Sequence, residues 1–283
     1  EIDKDVRRHV PADAENGQYT AGDGWQIRTL RLRPAGPAKG AILFGGGRAD
    51  FIEKYMESLV HWRSRGWDVT TFDWRGQGGS GRMADDPKVG HANDFATWLD
   101  DLSVLSNEWR ARVPGPHILI GHSMGGHLML RHVAEQAPPV AGLVLSSPMI
   151  GFRTPLPERI VRYITAAKVR GGLAPRHAWG QKSRITITDS IRQRRLTSDR
   201  ARYADELWWF AQHPELLLGG ASWGWIDAAY RSTDRLLAPG VMEGIAVPVL
   251  LAATKGDRVV DTARAIAAVN RIPKHEIALF PGG

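Results

Sequence analysis

Residues 117–136 read HILIGHSMGGHLMLRHVAEQ. The first four form a short apolar run of strand type, and from Met124 onward the residues suit a helix. Between them stands Gly121-His122-Ser123-Met124-Gly125, a G-x-S-x-G pentapeptide that Gly126 extends. A strand that turns sharply into a helix holds the serine backbone in a strained conformation and lifts its hydroxyl clear of the sheet. The flanking glycines let neighbouring backbones approach with no Cβ in the way. The N-terminus of the following helix offers free N–H groups and the positive end of its dipole, which favour an anion beside the serine. A bare pentapeptide of this kind occurs often by chance; its place at a strand-to-helix junction makes Ser123 the expected nucleophile. Neighbouring side chains in such a turn point to different sides, so His122 is expected to pack or to line the site.

Outward from this turn the chain alternates strand with helix. Strands are expected at residues 27–33, 41–44, 67–72, 117–120, 140–146, 247–253 and 276–280, and helices at 51–65, 93–112, 124–136 and 261–270. Strands alternating with helices of this length imply a mainly parallel sheet covered on both faces. The fold class is therefore α/β. Residues 150–221 break the rhythm. Trp179, Trp208, Trp209, Trp223 and Trp225 lie in or beside this stretch, with Arg153, Arg159, Arg162, Arg192, Arg194 and Arg195. The stretch is expected to be a helical cap inserted into a core made of residues 1–149 and 222–283.

A serine hydroxyl is a poor nucleophile at neutral pH and needs a base, which in turn needs an orienting acid. On a strand–turn–helix site of this kind the chain order is serine, acid, histidine. Asp257 follows the apolar run VPVLLAATKGD, at the carboxyl end of a strand, where open parallel sheets bind their ligands. It is the expected acid. Asp261 precedes TARAIAAVN and reads better as a helix N-cap. Of the ten histidines only His275 follows Asp257, and it precedes the last strand, at the wrong end to reach Ser123. The base is expected just beyond Gly283; the alternative is His275 acting through an unusual register.

A tetrahedral oxyanion needs two preorganised N–H donors, and losing one lowers the rate by about 10²–10³. The backbone N–H of Met124 is the first candidate. The second is the N–H of Arg48, in the Gly45-Gly46-Gly47-Arg48 loop after the strand AILF. A further run, Gly76-Gln77-Gly78-Gly79-Ser80-Gly81, matches the dinucleotide pattern G-x-G-x-x-G in form alone. That pattern must open directly into a helix to hold a pyrophosphate. Here RMADDPK follows, so no nucleotide cofactor is expected.

Composition narrows the rest. The chain has 283 residues, 43% hydrophobic and 24% charged, enough for a sizeable single core. With no cysteine, disulfides and thiolate chemistry are excluded, and a reducing cytoplasm suits the chain. No apolar run reaches the roughly 20 residues needed to span a bilayer, and the opening EIDKDVRRHVPADAE lacks the apolar core of a signal peptide. A cytoplasmic location is expected, peripheral to the membrane at most. The chain starts at Glu1 rather than Met, so an earlier segment is not excluded. A net charge of +7 suits an anionic lipid surface as well as nucleic acid, and no nucleic-acid motif accompanies it. The expected partners are a small-molecule ester or lipid and, transiently, an anionic membrane surface.

The segments FGGGRADFIEKYMESL, TFDWRGQGGSGR, GHSMGG, RRLTSDRARY and GGASWGW together resemble the bacterial lysophospholipase branch of the α/β-hydrolases, kin to monoacylglycerol lipases. The similarity runs over nearly the whole chain. It implies an α/β-hydrolase fold with a cap, an acyl-enzyme on Ser123, ester hydrolysis without metal or organic cofactor, and Arg48 as oxyanion donor. In that family the oxyanion loop often has His-Gly where this chain has Gly46-Gly47, and a histidine follows the Pro-Gly that ends the last strand. Two other readings remain: an amide hydrolase like the prolyl iminopeptidases, which an acidic cap patch would favour, and a ligand-binding pseudo-hydrolase.

Overall fold

The computed structural model describes residues 4–154, 156–180 and 190–281. Positions 155 and 181–189 of the expected cap, and Gly282 and Gly283, lie outside the described residues. Among the described residues eight strands form one sheet: β1 (Glu15–Thr20), β2 (Gln26–Leu32), β3 (Ala41–Gly45), β4 (Asp68–Phe72), β5 (His117–His122), β6 (Gly142–Ser146), β7 (Val249–Thr254) and β8 (His275–Phe280). Their spatial order is β1-β2-β4-β3-β5-β6-β7-β8. Strand β2 is antiparallel to both β1 and β4, and every later pairing is parallel. The mainly parallel α/β sheet expected from the sequence is the one observed.

The helices among the described residues are α1 (Lys4–Arg7), α2 (Met56–Ser64), α3 (Ala96–Arg112), α4 (Met124–Gln136), α5 (Glu158–Lys168), α6 (Ser190–Leu196), α7 (Arg200–Gln212), α8 (Trp223–Leu237) and α9 (Thr262–Val269). They cover both faces of the sheet. Because side chains alternate along a strand, Leu43 and Leu119 enter one apolar cluster with α3, α4 and α8. Ile42, Phe44 and Ile120 enter the other, against α2. Central strands are thus apolar on both sides and read as unbroken runs. In α3 the buried Trp98, Leu102, Leu105 and Trp109 recur at the spacing of one helix face.

Several boundaries differ from expectation for local reasons. The helix expected from residue 93 starts at Ala96, whose N–H donates to the Asp94 carboxylate at 2.9 Å. The helix expected over 51–65 opens as a tighter 3₁₀ turn, Ile52–Tyr55, before α2 begins. Strand β1 has no apolar alternation because only Tyr19 of its six residues faces inward. It pairs with β2 across the turn at Ala21-Gly22-Asp23-Gly24. Helix α8 is capped by the Ser222 hydroxyl, which accepts the Trp225 N–H at 3.0 Å.

Between β6 and β7 no strand joins the sheet among the described residues; the chain runs through α5 to α8. Helix α7 is tied down from two sides. Asp205 accepts from Arg7 and Arg8 at 2.7 Å each, and the Trp209 ring N–H donates to Arg7 O at 2.9 Å. Trp209, Phe210 and Leu216 pack on Phe51, just before the 3₁₀ turn. No helix among the described residues is long and apolar enough to cross a membrane.

Two histidines of α4 are built into the core. His127 is 0% exposed and bonds through Nε2 to Ser232 Oγ at 2.6 Å, and His132, 1% exposed, bonds to Ser106 Oγ at 3.0 Å. Burial pulls His127 down to about 3 and His132 to about 4, from 6.5. As pH falls from about 6.5 toward 4, the unfolded chain binds protons that the folded protein refuses. Stability is therefore full above 6.5 and declines below it, by up to about 1.4 kcal/mol per pH unit for each histidine. Thermal midpoints at pH 7 and pH 5 check this: the expected drop is several degrees, smaller in His132→Gln, and a flat profile would contradict it.

Candidate active site

The turn after β5 carries the strain expected of it. Ser123 has φ 51° and ψ −116°, a left-handed backbone for a non-glycine residue, worth about 1–3 kcal/mol that surrounding contacts must offset. Three backbone bonds supply them. The Ser123 N–H donates to Ser146 O at 2.9 Å, and Ser123 O accepts from His127 N–H at 3.1 Å and Met149 N–H at 3.0 Å. Helix α4 starts at the next residue. The glycine after it is set by close approach: a Cβ on Gly125 would stand 2.3 Å from both Gly45 O and Gly46 O, so α4 lies directly on the end of β3.

Ser123 is partly exposed, into a cavity of about 220 Å³. Asp257 lines the same cavity from the turn after β7. Its Oδ1 accepts the N–H of Val259 at 2.8 Å and of Val260 at 2.9 Å, which fixes the carboxylate; Oδ2 has no protein partner among the described residues. Asp261 is elsewhere engaged, capping α9 through the Arg264 N–H at 3.1 Å. His275 is the first residue of β8, paired with Val249 at the start of β7, so it sits at the far end of the sheet from Asp257. Its Nδ1 bonds to Ile272 O at 2.6 Å. His122 lines the cavity beside Ser123, with Nδ1 3.3 Å from Ser146 Oγ, and burial holds its pKa below the ordinary value.

The loop after β3 lies against the serine: a Cβ on Gly47 would be 3.2 Å from Ser123 Cβ and 3.3 Å from the His122 ring. Neither Arg48 N–H nor Met124 N–H donates to a protein acceptor among the described residues. The Arg48 side chain leaves the serine, donating to Gly219 O at 3.0 Å and standing over the Trp225 ring at 5.6 Å. Asp50 anchors the loop. Its Oδ2 accepts from Gly47 N–H at 2.7 Å and Tyr55 OH at 2.5 Å, and its Oδ1 meets Lys54 Nζ at 2.5 Å. Burial would raise the Asp50 carboxyl, but Lys54 above all, with His122 and the Tyr55 hydroxyl, holds it at about 2. Lys54 also reaches Glu206 of α7 at 3.2 Å, and Glu206 in turn pairs with Arg192 at 2.9 Å.

Three arginines face the cavity: Arg194 and Arg195 from α6, and Arg258 beside Asp257. None is ion-paired to a carboxylate among the described residues; Arg258 donates to Arg194 O at 3.3 Å. Leu196, Val259 and Val260 supply apolar lining. The tryptophans do not reach it. Trp209, Trp223 and Trp225 are buried in packing contacts, and Trp179 stands against Trp223 at 4.8 Å. Asp50, Lys54 and Arg258 were not singled out in the sequence; the signal available for Asp50 was an acid three residues after a Gly-Gly turn.

Substitution at Gly125 tests the close approach. Gly125→Ala is expected to lower stability by about 1–3 kcal/mol, while Gly36→Ala, with open space around it, stays near wild type. Chemical denaturation of both variants checks this, and a Gly125→Ala protein of native stability would contradict it.

The model of the Hydrolase_4 family, described as serine aminopeptidase, S33, matches residues 36–283. Lysophospholipase L2 of Escherichia coli (strain K12) is 29% identical over 252 residues, 87% of this chain and 72% of its own length. Homo sapiens monoglyceride lipase is 28% identical over 160 residues, 56% of this chain and 50% of its own. Among solved structures, a soluble variant of the monoglyceride lipase from Saccharomyces cerevisiae in complex with a substrate analog superposes with a TM-score of 0.75 at 19% identity, covering 98% of this chain and 88% of that one. The structural likeness speaks for the fold alone; the family match spans most of the sequence, and on both grounds the protein belongs to the Hydrolase_4 family and has the α/β-hydrolase fold.

Proposed function

We propose that the protein is a serine hydrolase that cleaves the carboxylic ester of an anionic, lysophospholipid-like lipid through an acyl-enzyme on Ser123. The observation that carries this is one cavity shared by a strained, partly exposed Ser123, the Asp257 carboxylate and three arginines that have no carboxylate partner among the described residues.

In this reading Ser123 Oγ attacks the ester carbonyl and gives its proton to an imidazole. The N–H groups of Met124 and Arg48 hold the oxyanion, and Asp257 Oδ2 accepts from the imidazole and orients it. Strand β8 ends at Phe280, paired with Thr254 of β7, so its carboxyl end lies at the same edge of the sheet as the turn that carries Asp257. In this reading the imidazole is supplied by a histidine that follows β8. Collapse of the tetrahedral adduct expels the alcohol, which takes the proton from the imidazole. Water then attacks the acyl-enzyme by the same steps in reverse and releases the fatty acid.

Residues 150–221 would act as the cap, with α6 presenting Arg194, Arg195 and Leu196 to the substrate. Arginine pairs well with a phosphodiester, which favours an anionic head group over a neutral glycerol. The same charges argue against an aminopeptidase-like substrate, whose amine would face cations.

Purified full-length protein is to be assayed with a lysophosphatidylglycerol and a monoacylglycerol of equal acyl length. Ser123→Ala is expected to lose more than about 10³-fold in activity toward both. Arg195→Ala and Arg258→Ala are each expected to lose about 5–10-fold in kcat/KM toward the anionic lipid and to stay near wild type toward the neutral one. Equal losses on both lipids would remove the head-group reading, and an active Ser123→Ala the nucleophile.

A further inference from the structure

The glycine-rich run that mimics a nucleotide fingerprint folds into a tight loop wrapped around Asp73, next to Ser123's surroundings. Gly79 N–H donates to Asp73 Oδ2 at 2.7 Å, Ser80 Oγ to Asp73 O at 2.8 Å, and Gly76 N–H to Ser80 O at 3.0 Å. Gly78 has φ +50° and a Cβ there would fall 2.3 Å from the Asp73 carboxylate, so the glycine is required where the loop closes. The loop has no helix behind it and holds no phosphate-sized nest of free N–H groups. What it does present is one polar side chain. Gln77, 3% exposed, reaches across to the loop after β3, where its Oε1 accepts the N–H of Ala49; its Nε2 lies 4.0 Å from Met124 Sδ.

Asp50 holds the other side of the same loop by accepting the Gly47 N–H at 2.7 Å. The two N–H groups flanking Arg48 are therefore each bound by a buried or half-buried side chain, and Ala49 is held at φ 60°. The Arg48 N–H between them is left without a protein acceptor among the described residues, in a loop whose Gly47 abuts Ser123. A donor aimed in advance needs no reorganisation when negative charge develops, and a shift of about 1 Å in such a group lowers the rate by about 10²-fold.

We propose that Gln77, together with Asp50, is a positioning residue that brackets the Arg48 peptide and aims its N–H at the oxyanion formed on Ser123. This rests on the hydrolase reading given above. Gln77 touches neither substrate nor the reacting atoms; it acts on the transition state through the Arg48 peptide. Ground-state binding, made in the cavity by other residues, should be indifferent to it.

The test compares Gln77→Met, which keeps length and removes the acceptor, with Gln77→Glu, which keeps an acceptor at the same atom. Full-length protein is assayed for kcat and KM on a soluble p-nitrophenyl ester, for affinity toward an alkyl boronic acid whose serine adduct is an anionic tetrahedron, and for thermal midpoint. Gln77→Met should lower kcat about 10²-fold, leave KM within about twofold, and weaken the boronic acid in proportion to kcat. Gln77→Glu should recover most of both. A role in folding alone would move the midpoint while kcat per titrated site and boronate affinity stayed at wild-type values, and that outcome overturns the proposal. Should Gln77→Met fail to fold, Gln77→Ala, which cannot overpack the site, carries the same expectations. Ser123→Ala separates the two levels: if it remains active the hydrolase reading fails, and if it is inactive while Gln77→Met matches wild type, only the bracket fails.

Discussion

One serine backbone is bent the wrong way for its residue type, and the architecture around it exists to keep it bent. Ser123 sits at φ 51°, ψ −116°, with its N–H bound to Ser146 O and its carbonyl bound by His127 and Met149 N–H. Each partner comes from a neighbouring element: β6, the first turn of α4, and the segment after β6. Helix α4 in turn lies on the end of β3, which Gly125 permits by presenting no Cβ to Gly45 O and Gly46 O. Parallel pairing of β3, β5 and β6 brings the three strand ends together at one edge. Strain at one residue is thus distributed over the centre of the sheet.

Loops from both sides of the elbow converge on it, and their charges are arranged with opposite signs of purpose. The loop after β3 is held by Asp50, which Lys54 keeps ionised within a chain of ion pairs that continues through the buried Glu206 to Arg192. Those charges are paired and serve to fix positions. Across the cavity, Arg194, Arg195 and Arg258 have no carboxylate partner among the described residues and line the space shared by Ser123 and Asp257. Paired charges fix the loop; the three arginines leave the cavity wall cationic. The two sets meet on α6, where Arg192 pairs with Glu206 and Arg194 and Arg195 face the cavity.

How much of this was legible depended on whether the signal was local. The elbow was, because strand, turn and helix are contiguous, and α4 begins and ends at the residues its apolar pattern indicates, Met124–Gln136. The Asp261 cap was legible for the same reason. Strand β1 was not, since five of its six residues are exposed and an edge strand carries no two-sided apolar run. Helix α8 was not among the helices expected from the sequence, although residues from 222 onward were assigned to the core into which it packs. Asp50 and Gln77 lie far from Ser123 in the chain, and their importance is visible only as two hydrogen bonds to Gly47 and Ala49. The glycines of residues 76–81 shape a loop around Asp73, a role that a motif shared with nucleotide sites could not reveal.

The most direct measurement is peptide mapping by mass spectrometry of full-length protein acid-quenched during turnover of an activated ester. The acyl group is predicted on the peptide containing Ser123, accumulating with a burst of alcohol release. An acyl group on any other side chain, or turnover with no covalent intermediate and no burst, would contradict the assignment of Ser123 as nucleophile.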